Sequence, residues 1–216
     1  MHMNNEEYQT KIATTYTQMG FQAYQNSKIL LRLFGKYCNK PILDVGAGDG
    51  SLIKLLLHKY PQCIGIDINP SDSIVKKASI TNIPEENEVF NTVFCTEVLE
   101  HLNNRQIKLG LQEIRRVLKL NSNLILSVPF DEDLEQNSFI CPHCEKKFHK
   151  VGHLQSFNKK NLKPLLETNG FAVLSIKIYA LGAMSKLPLG KYFNWLFLKM
   201  NYDFIGKSLI AVCRKI

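Results

Sequence analysis

The stretch from Pro41 to Asp67 constrains the fold more than any other part of this 216-residue chain. Pro41-Ile42-Leu43-Asp44-Val45 reads as a short apolar strand that runs straight into Gly46-Ala47-Gly48-Asp49-Gly50. From Ser51 to Tyr60 the apolar residues Leu52, Ile53, Leu55 and Leu56 return at helical spacing, and Gln62 to Asp67 is a second strand ending on an acid. Strand, glycine bend, helix and second strand make the opening of a parallel sheet with right-handed crossovers. Bare backbone at the bend admits a ligand closely, and the following helix offers unpaired N–H groups. The spacing is G-x-G-x-G, whereas a dinucleotide fingerprint needs glycine where this chain has Ser51. Asp44, just ahead of the first glycine, would repel a pyrophosphate and suits the positively charged end of a methionine-type ligand. Asp67 is placed to accept hydrogen bonds from both hydroxyls of a ribose.

The rest of the chain continues the alternation. Tyr8–Tyr37 has helical periodicity, Thr92–Thr96 is a further clear strand, Arg105–Leu120 is a helix, and Leu124–Val128 is a strand stopped by Pro129. A helix near Asn158–Thr168 ends at Asn169-Gly170, and Phe171–Tyr179 with Ser208–Arg214 can form a closing hairpin. These elements predict one α/β domain over residues 1–216, with a helical cap at 8–38, a Cys/His insertion at 130–157 and an apolar insertion at 181–206. Hydrophobic residues make up 45% and charged residues 21%, enough for a core without staples. No apolar run reaches the roughly 18 residues that a membrane-spanning helix needs, and Met1 to Glu7 lacks a signal core, which predicts a cytoplasmic protein. The net charge of +8 favours anionic partners, but the cations are dispersed and a solvated lysine-rich surface is the plainer reading. Cys38, Cys63, Cys95 and Cys213 sit among apolar residues and read as small buried hydrophobes.

Five stretches carry a family resemblance: Leu43 to Gly50, Gly65-Ile66-Asp67, Glu97-Val98-Leu99-Glu100-His101-Leu102, Glu113 to Lys119, and Leu124 to Pro129. Together they resemble the class I S-adenosylmethionine-dependent methyltransferases, closely over residues 40–130 and in outline beyond. The resemblance implies a Rossmann-like, doubly wound, seven-stranded sheet of order 3-2-1-4-5-7-6 with the last strand antiparallel. It implies that Asp44, Gly46, Ala47 and Gly48 line the methionine portion of S-adenosylmethionine, that Asp67 holds the ribose, that Ile68 packs on the adenine, and that Glu97 lies beside the cofactor. Two departures stand out. Many relatives place an Asp five residues before the Pro of a Leu-Pro pair to bond the adenine amino group, and Ile83-Pro84 here puts Ser79 at that place. Many also begin the fourth strand Phe-Asp, where this chain has Phe90-Asn91.

Glu97, Glu100 and His101 would share one face of a helical turn begun at Glu97. Two carboxylates and an imidazole there can hold a divalent ion, Mg or Mn, or supply a general base. The E-x-x-E-H pattern is similar to that of the quinone-biosynthesis O-methyltransferases and the small-RNA 2′-O-methyltransferases, two groups thought to use a metal. The plainer alternative has Glu97 capping the turn and His101 in the pocket without metal. Cys141, Cys144, His149 and His153 have the spacing of a structural zinc site that would order the insertion. Two other readings stay open: free cysteines with solvent histidines, or a split in which His153 joins Glu97, Glu100 and His101 and His143 is the spare zinc ligand. The aromatic segment from Tyr192 to Met200 reads as a short packed helix or as a lipophilic cover for an acceptor.

These readings predict methyl transfer to an oxygen or nitrogen of a small, hydrophobic or anionic acceptor, with His101, His153 or Glu97 handling the proton. The alternatives are an RNA 2′-O-methyltransferase using a divalent metal at Glu97, Glu100 and His101, and a non-catalytic, zinc-ordered adaptor that keeps the cofactor.

Overall fold

In the computed structural model, which describes residues 20–142, 145, 147–186 and 206–216, one seven-stranded sheet organises the chain. Strands β1 (Ile42–Val45), β2 (Cys63–Asp67), β3 (Val75–Lys77), β4 (Phe90–Thr96) and β5 (Leu118–Pro129) are parallel and lie in the order β3-β2-β1-β4-β5. Beyond β5 comes β9 (Ser208–Lys215), antiparallel to it, and then β8 (Phe171–Tyr179) at the edge. This is the expected order, with the last strand antiparallel and the closing hairpin formed. The insertion contributes a separate two-stranded hairpin, β6 (Ser138–Ile140) and β7 (Lys147–His149).

Helices cover both faces of the sheet. Leu43, Val45, Val93, Leu124 and Leu126 pack with Ile107, Leu111 and Ile114 of α3 (Asn104–Val117) and with Leu162 and Leu166 of α4 (Lys159–Thr168). On the other face Ile42, Phe94 and Ile125 meet Leu30 and Phe34 of α1 (Gly20–Phe34), Leu52, Ile53 and Leu56 of α2 (Ser51–Leu57), and Leu181 of α5 (Leu181–Lys186). Because side chains alternate along a strand, Asp44 shares the face of Ile42 and points under α1 and α2. The Pro41–Val45 strand is buried along all of β1, which is why it reads as a continuous apolar run broken only by that acid.

Several boundaries differ from the sequence reading. The α3 helix stops at Val117, because Leu118 already belongs to β5 and pairs with Phe90. The α2 helix ends at Leu57 and not Tyr60. Strand β3 escaped residue-level reading because it is three residues long and only Val75 is buried while Lys76 and Lys77 face solvent. The predicted helical cap is seen from Gly20 onward, and its part at 8–19 lies outside the described residues, as does the segment Tyr192–Met200. Among the described residues no helix is long and apolar enough to cross a membrane.

Arg116 on α3 ties the segment before β4 to the helix. Its guanidinium donates to Glu113 Oε1 at 2.7 Å, to the Ile83 carbonyl at 2.8 Å and to the Glu85 carbonyl at 2.7 Å, while Glu113 Oε2 accepts from Ile83 N at 2.8 Å. The hydrogen bond from Arg116 holds the Glu113 carboxyl below its ordinary range. Arg116→Ala should therefore lower stability by about 1–3 kcal/mol near neutral pH. The difference should shrink as pH falls through the carboxylate range, where the Glu113 contribution is lost in the parent protein as well. Urea denaturation at several pH values checks both parts.

Candidate active site

The C-terminal ends of β1, β2, β4 and β5 open on a cavity of about 410 Å³, lined by Asp44, Gly46, Ala47, Gly48, Asp67, Asn69, Thr96, Glu97 and Ser127. Its outer wall comes from Ala23, Asn26, Ser27 and Leu30 of α1. The bend after β1 is built for close approach. Gly46 has φ +77°, and a Cβ there would lie 2.3 Å from Val98 Cγ2; Gly48 has φ +51°, and a Cβ there would meet nothing within 4 Å, so bare backbone faces open space. Asp67 props this bend from the next strand, with Oδ2 accepting from Gly48 N at 2.9 Å and Oδ1 from Asn69 N at 2.8 Å. Each oxygen keeps a further lone pair for a ligand hydroxyl.

Asp44 lies beneath the bend and is only 2% exposed. Its Oδ1 finds no hydrogen-bond partner. Burial pushes its carboxyl up to about 8, and the negative charges of Asp67 and Asp49 add to the rise. An uncompensated buried acid on a cavity wall is a receptor for a cationic group. Ile68 and Ser79, the residues expected around an adenine, are not on this lining, and the Ser79 hydroxyl pairs with that of Thr81 at 2.9 Å. Sequence reading missed Asn69, the α1 residues and Ser127. Only Ser127 left a signal, as a lone hydroxyl inside the apolar run of β5.

The E-x-x-E-H segment is not the expected helical turn. A 3₁₀ turn spans Leu99–His101, and Glu97 stands before it with φ +55°, a left-handed conformation costly for a residue with a Cβ. Val98 occupies the N-cap and no side chain caps the turn, so Glu97 does not serve as its cap. Glu97 opens to the cavity and accepts from Ser127 Oγ at 2.7 Å. Crowding by protein raises its carboxyl, an effect that its opening to solvent softens and the Ser127 hydroxyl opposes. Glu100 is 1% exposed, and neither of its oxygens has a well-formed hydrogen bond. Burial first, and the adjacent Glu97 second, push its carboxyl well upward. His101 is neutral: burial, the largest influence, lowers it to about 4. The Gly152 carbonyl accepts from the His101 ring, while Nδ1 is buried without a partner.

The insertion carries a second set of groups to the same place. Leu154 N and Gln155 N donate to the Glu100 carbonyl at 2.7 and 3.1 Å, which seats His153 beside His101 with ring centroids 4.8 Å apart, edge to face. Glu100, His101 and His153 form one group with metal-ligand spacing, and Glu132, His149 and His153 form another. Of the four predicted zinc donors, His149 and His153 meet, with rings stacked at 4.8 Å. Cys141 does not join them. His149 pairs with Ser138 at the base of the hairpin, whereas Cys141 follows Ile140 at its turn, roughly 10 Å along the strand. Cys144 lies outside the described residues. Glu132, the middle acid of Asp131-Glu132-Asp133, was not singled out from the sequence.

A family model described as a methyltransferase domain matches residues 19–176. Among curated proteins, an uncharacterised protein of Methanocaldococcus jannaschii, MJ0638, is 27% identical over 170 residues, covering 76% of this chain and 69% of that one. The solved structure of 1,6-didemethyltoxoflavin-N1-methyltransferase from Burkholderia thailandensis, bound to 1,6-didemethyltoxoflavin and S-adenosylhomocysteine, superposes with a TM-score of 0.62 at 15% identity, covering 100% of this chain and 92% of its own. A SAM-dependent methyltransferase from Methanosarcina mazei gives 0.60 at 18% identity over 85% of this chain and 97% of its own. At such identities the structural likeness is one of fold.

The buried acid makes a stability prediction with a definite sign. The Asp44 carboxyl ionises at 3.8 in the ordinary case and at about 8 in the folded chain, so folding loses stability as pH rises between the two values. Asp44→Asn removes that loss. Its advantage over the parent should grow by at most ~1.4 kcal/mol per pH unit from about pH 4 to pH 8 and then level off. Denaturation midpoints across that range test it, and an advantage that shrinks with rising pH would contradict the buried-acid account.

Proposed function

This chain belongs to the methyltransferase-domain family and is an S-adenosylmethionine-dependent methyltransferase; we propose that it methylates a hydroxyl oxygen of a small-molecule acceptor. The reading rests on one juxtaposition, in which Glu97 lines the cavity while Glu100, His101 and His153 stand behind it. A hydroxyl must lose its proton during transfer, and this set of groups offers acceptors for it.

When bound, S-adenosylmethionine supplies a methyl group already activated by its sulfonium, so the protein has mainly to align the reacting atoms. Asp44 and the bare backbone of Gly46 and Gly48 receive the methionine end, and Asp67 takes the ribose hydroxyls. Neutral His101 keeps an unpartnered Nδ1 lone pair that can accept the acceptor proton, although burial makes it a weak base. The same donors fit a divalent ion such as Mg or Mn, because Glu100 and His101 present buried lone pairs with no hydrogen directed at them. Glu97, Glu100, His101 and His153 would hold it, and when bound such an ion acidifies a coordinated hydroxyl.

That donor set together with the net charge of +8 also favours a second reading, methylation of an RNA 2′-hydroxyl. Binding to short RNA that falls steeply with salt supports the second reading, and its absence supports the first.

Calorimetry with S-adenosylmethionine should give one site, weakened about 10–100-fold by Asp67→Ala. Binding should release a proton below pH 8, because a cation beside Asp44 ionises it, and affinity should rise by up to ~tenfold per pH unit toward that value. No binding by the parent protein ends the proposal. Mn²⁺ titration followed by electron paramagnetic resonance should show one site lost in Glu100→Gln, while S-adenosylmethionine binding persists.

A further inference from the structure

Two side chains of the insertion that face away from the cavity determine which nitrogen of His153 is available. His149 sits at the base of the β6–β7 hairpin, and its Nδ1 accepts from Val151 N at 3.3 Å and from His153 N at 3.1 Å. A ring nitrogen that accepts carries no hydrogen, so neutral His149 has its proton on Nε2. Nε2 lies 3.3 Å from Glu132 Oε1, within ion-pair reach but not aligned for a well-formed hydrogen bond. The other oxygen, Oε2, meets His153 Nδ1. A carboxylate set between two imidazoles accepts from each, so His153 carries a hydrogen on Nδ1, and its neutral form keeps the lone pair on Nε2.

The geometry points to Glu132 and His149 as positioning residues: a main-chain-locked imidazole orients one carboxylate oxygen, and the other oxygen fixes His153 as the tautomer with a bare Nε2. His153 is the ring that stacks on His149 at 4.8 Å with planes 16° apart and meets His101 edge to face. The clamp thus presents a lone pair, and no hydrogen, beside Glu100 and His101. A carboxylate behind a histidine performs this service in triads and in metal sites alike. The inference rests on the proposed use of His153 at the active site, but it applies whether that nitrogen takes a proton or a metal ion. It also divides the two donor groups that share His153. The Nδ1 bonds leave His149 Nε2 protonated, so the Glu132 group supports the Glu100 group and is not a second metal site.

Glu132→Gln should invert the arrangement. The amide has one acceptor oxygen, which the locked Nε2–H of His149 takes, and its NH₂ group then faces His153 Nδ1. That nitrogen must become an acceptor, so the His153 hydrogen moves to Nε2. Long-range ¹H–¹⁵N spectra of the imidazoles, taken on EDTA-treated protein saturated with S-adenosylhomocysteine, report each tautomer directly. The expected result is Nε2–H for His149 in both proteins, and Nδ1–H for His153 in the parent but Nε2–H in Glu132→Gln. Mn²⁺ affinity should fall about 10–100-fold in the variant with S-adenosylhomocysteine binding unchanged. Parent His153 found as Nε2–H, a tautomer unmoved by Glu132→Gln, or zinc bound through His149 in protein not treated with EDTA would overturn the inference. If the variant does not fold, the parent spectrum alone decides. Failure of S-adenosylhomocysteine to bind would instead count against the methyltransferase reading, and leaves the tautomer result standing.

Discussion

An acid held in an apolar floor with nothing to neutralise it is the constraint from which the rest of the site follows. Asp44 occupies the third position of a fully buried strand, on the sheet face otherwise covered by Leu30, Leu52 and Ile53. Leaving a carboxyl there is unfavourable for the empty protein, and a chain selected only for stability would place an apolar residue at that point. The cavity directly above explains the choice. Gly46 and Gly48 adopt left-handed backbone so that the roof of the site is peptide and not side chain, and Asp67 holds that roof through the Gly48 N–H. On the proposed reading, acid, bare bend and second acid are three parts of one receptor for a cationic nucleoside.

Methyl transfer from a sulfonium asks for alignment more than for chemistry, and the fold divides those duties between its two halves. On the proposed reading, the strand ends from β1 to β4 supply the receptor, and the 3₁₀ turn after β4 and the insertion after β5 supply the groups that deal with the acceptor. Glu97 joins the two, in a strained left-handed conformation, bonded to Ser127 on the neighbouring strand and close to Glu100. The insertion does not hang free of the sheet: Phe130 and Phe157 bridge at its root, and the Glu100 carbonyl accepts from Leu154 N and Gln155 N at its far side.

The sheet and the receptor were legible in the sequence because their signals are local. A buried parallel strand is a continuous apolar run, a close-approach bend needs glycine, and an acid breaking either pattern stands out, as Asp44 and Asp67 do. The order of the last two strands came from the family resemblance and not from the residues, and β3 was too short to be read. The acceptor side was less legible because its contacts join distant segments. The pairing of His153 with His101 spans 52 positions, and the Glu132 clamp depends on a hairpin register that brings His149 to the base and leaves Cys141 at the turn. The C-x₂-C spacing suggested one four-ligand zinc site; the observed register puts Cys141 about three residues along the strand from His149, and Cys144 lies outside the described residues. No local pattern marks Glu132, whose role depends on which ring nitrogens the main chain engages.

The most direct test of this account is a crystal structure of the protein with S-adenosylhomocysteine. The account predicts the ligand in the cavity over the Gly46–Gly50 bend, its α-ammonium paired with Asp44 directly or through one water, and both ribose hydroxyls on Asp67. Density for the ligand outside this cavity, or an Asp67 carboxylate turned away from the ribose, would contradict it.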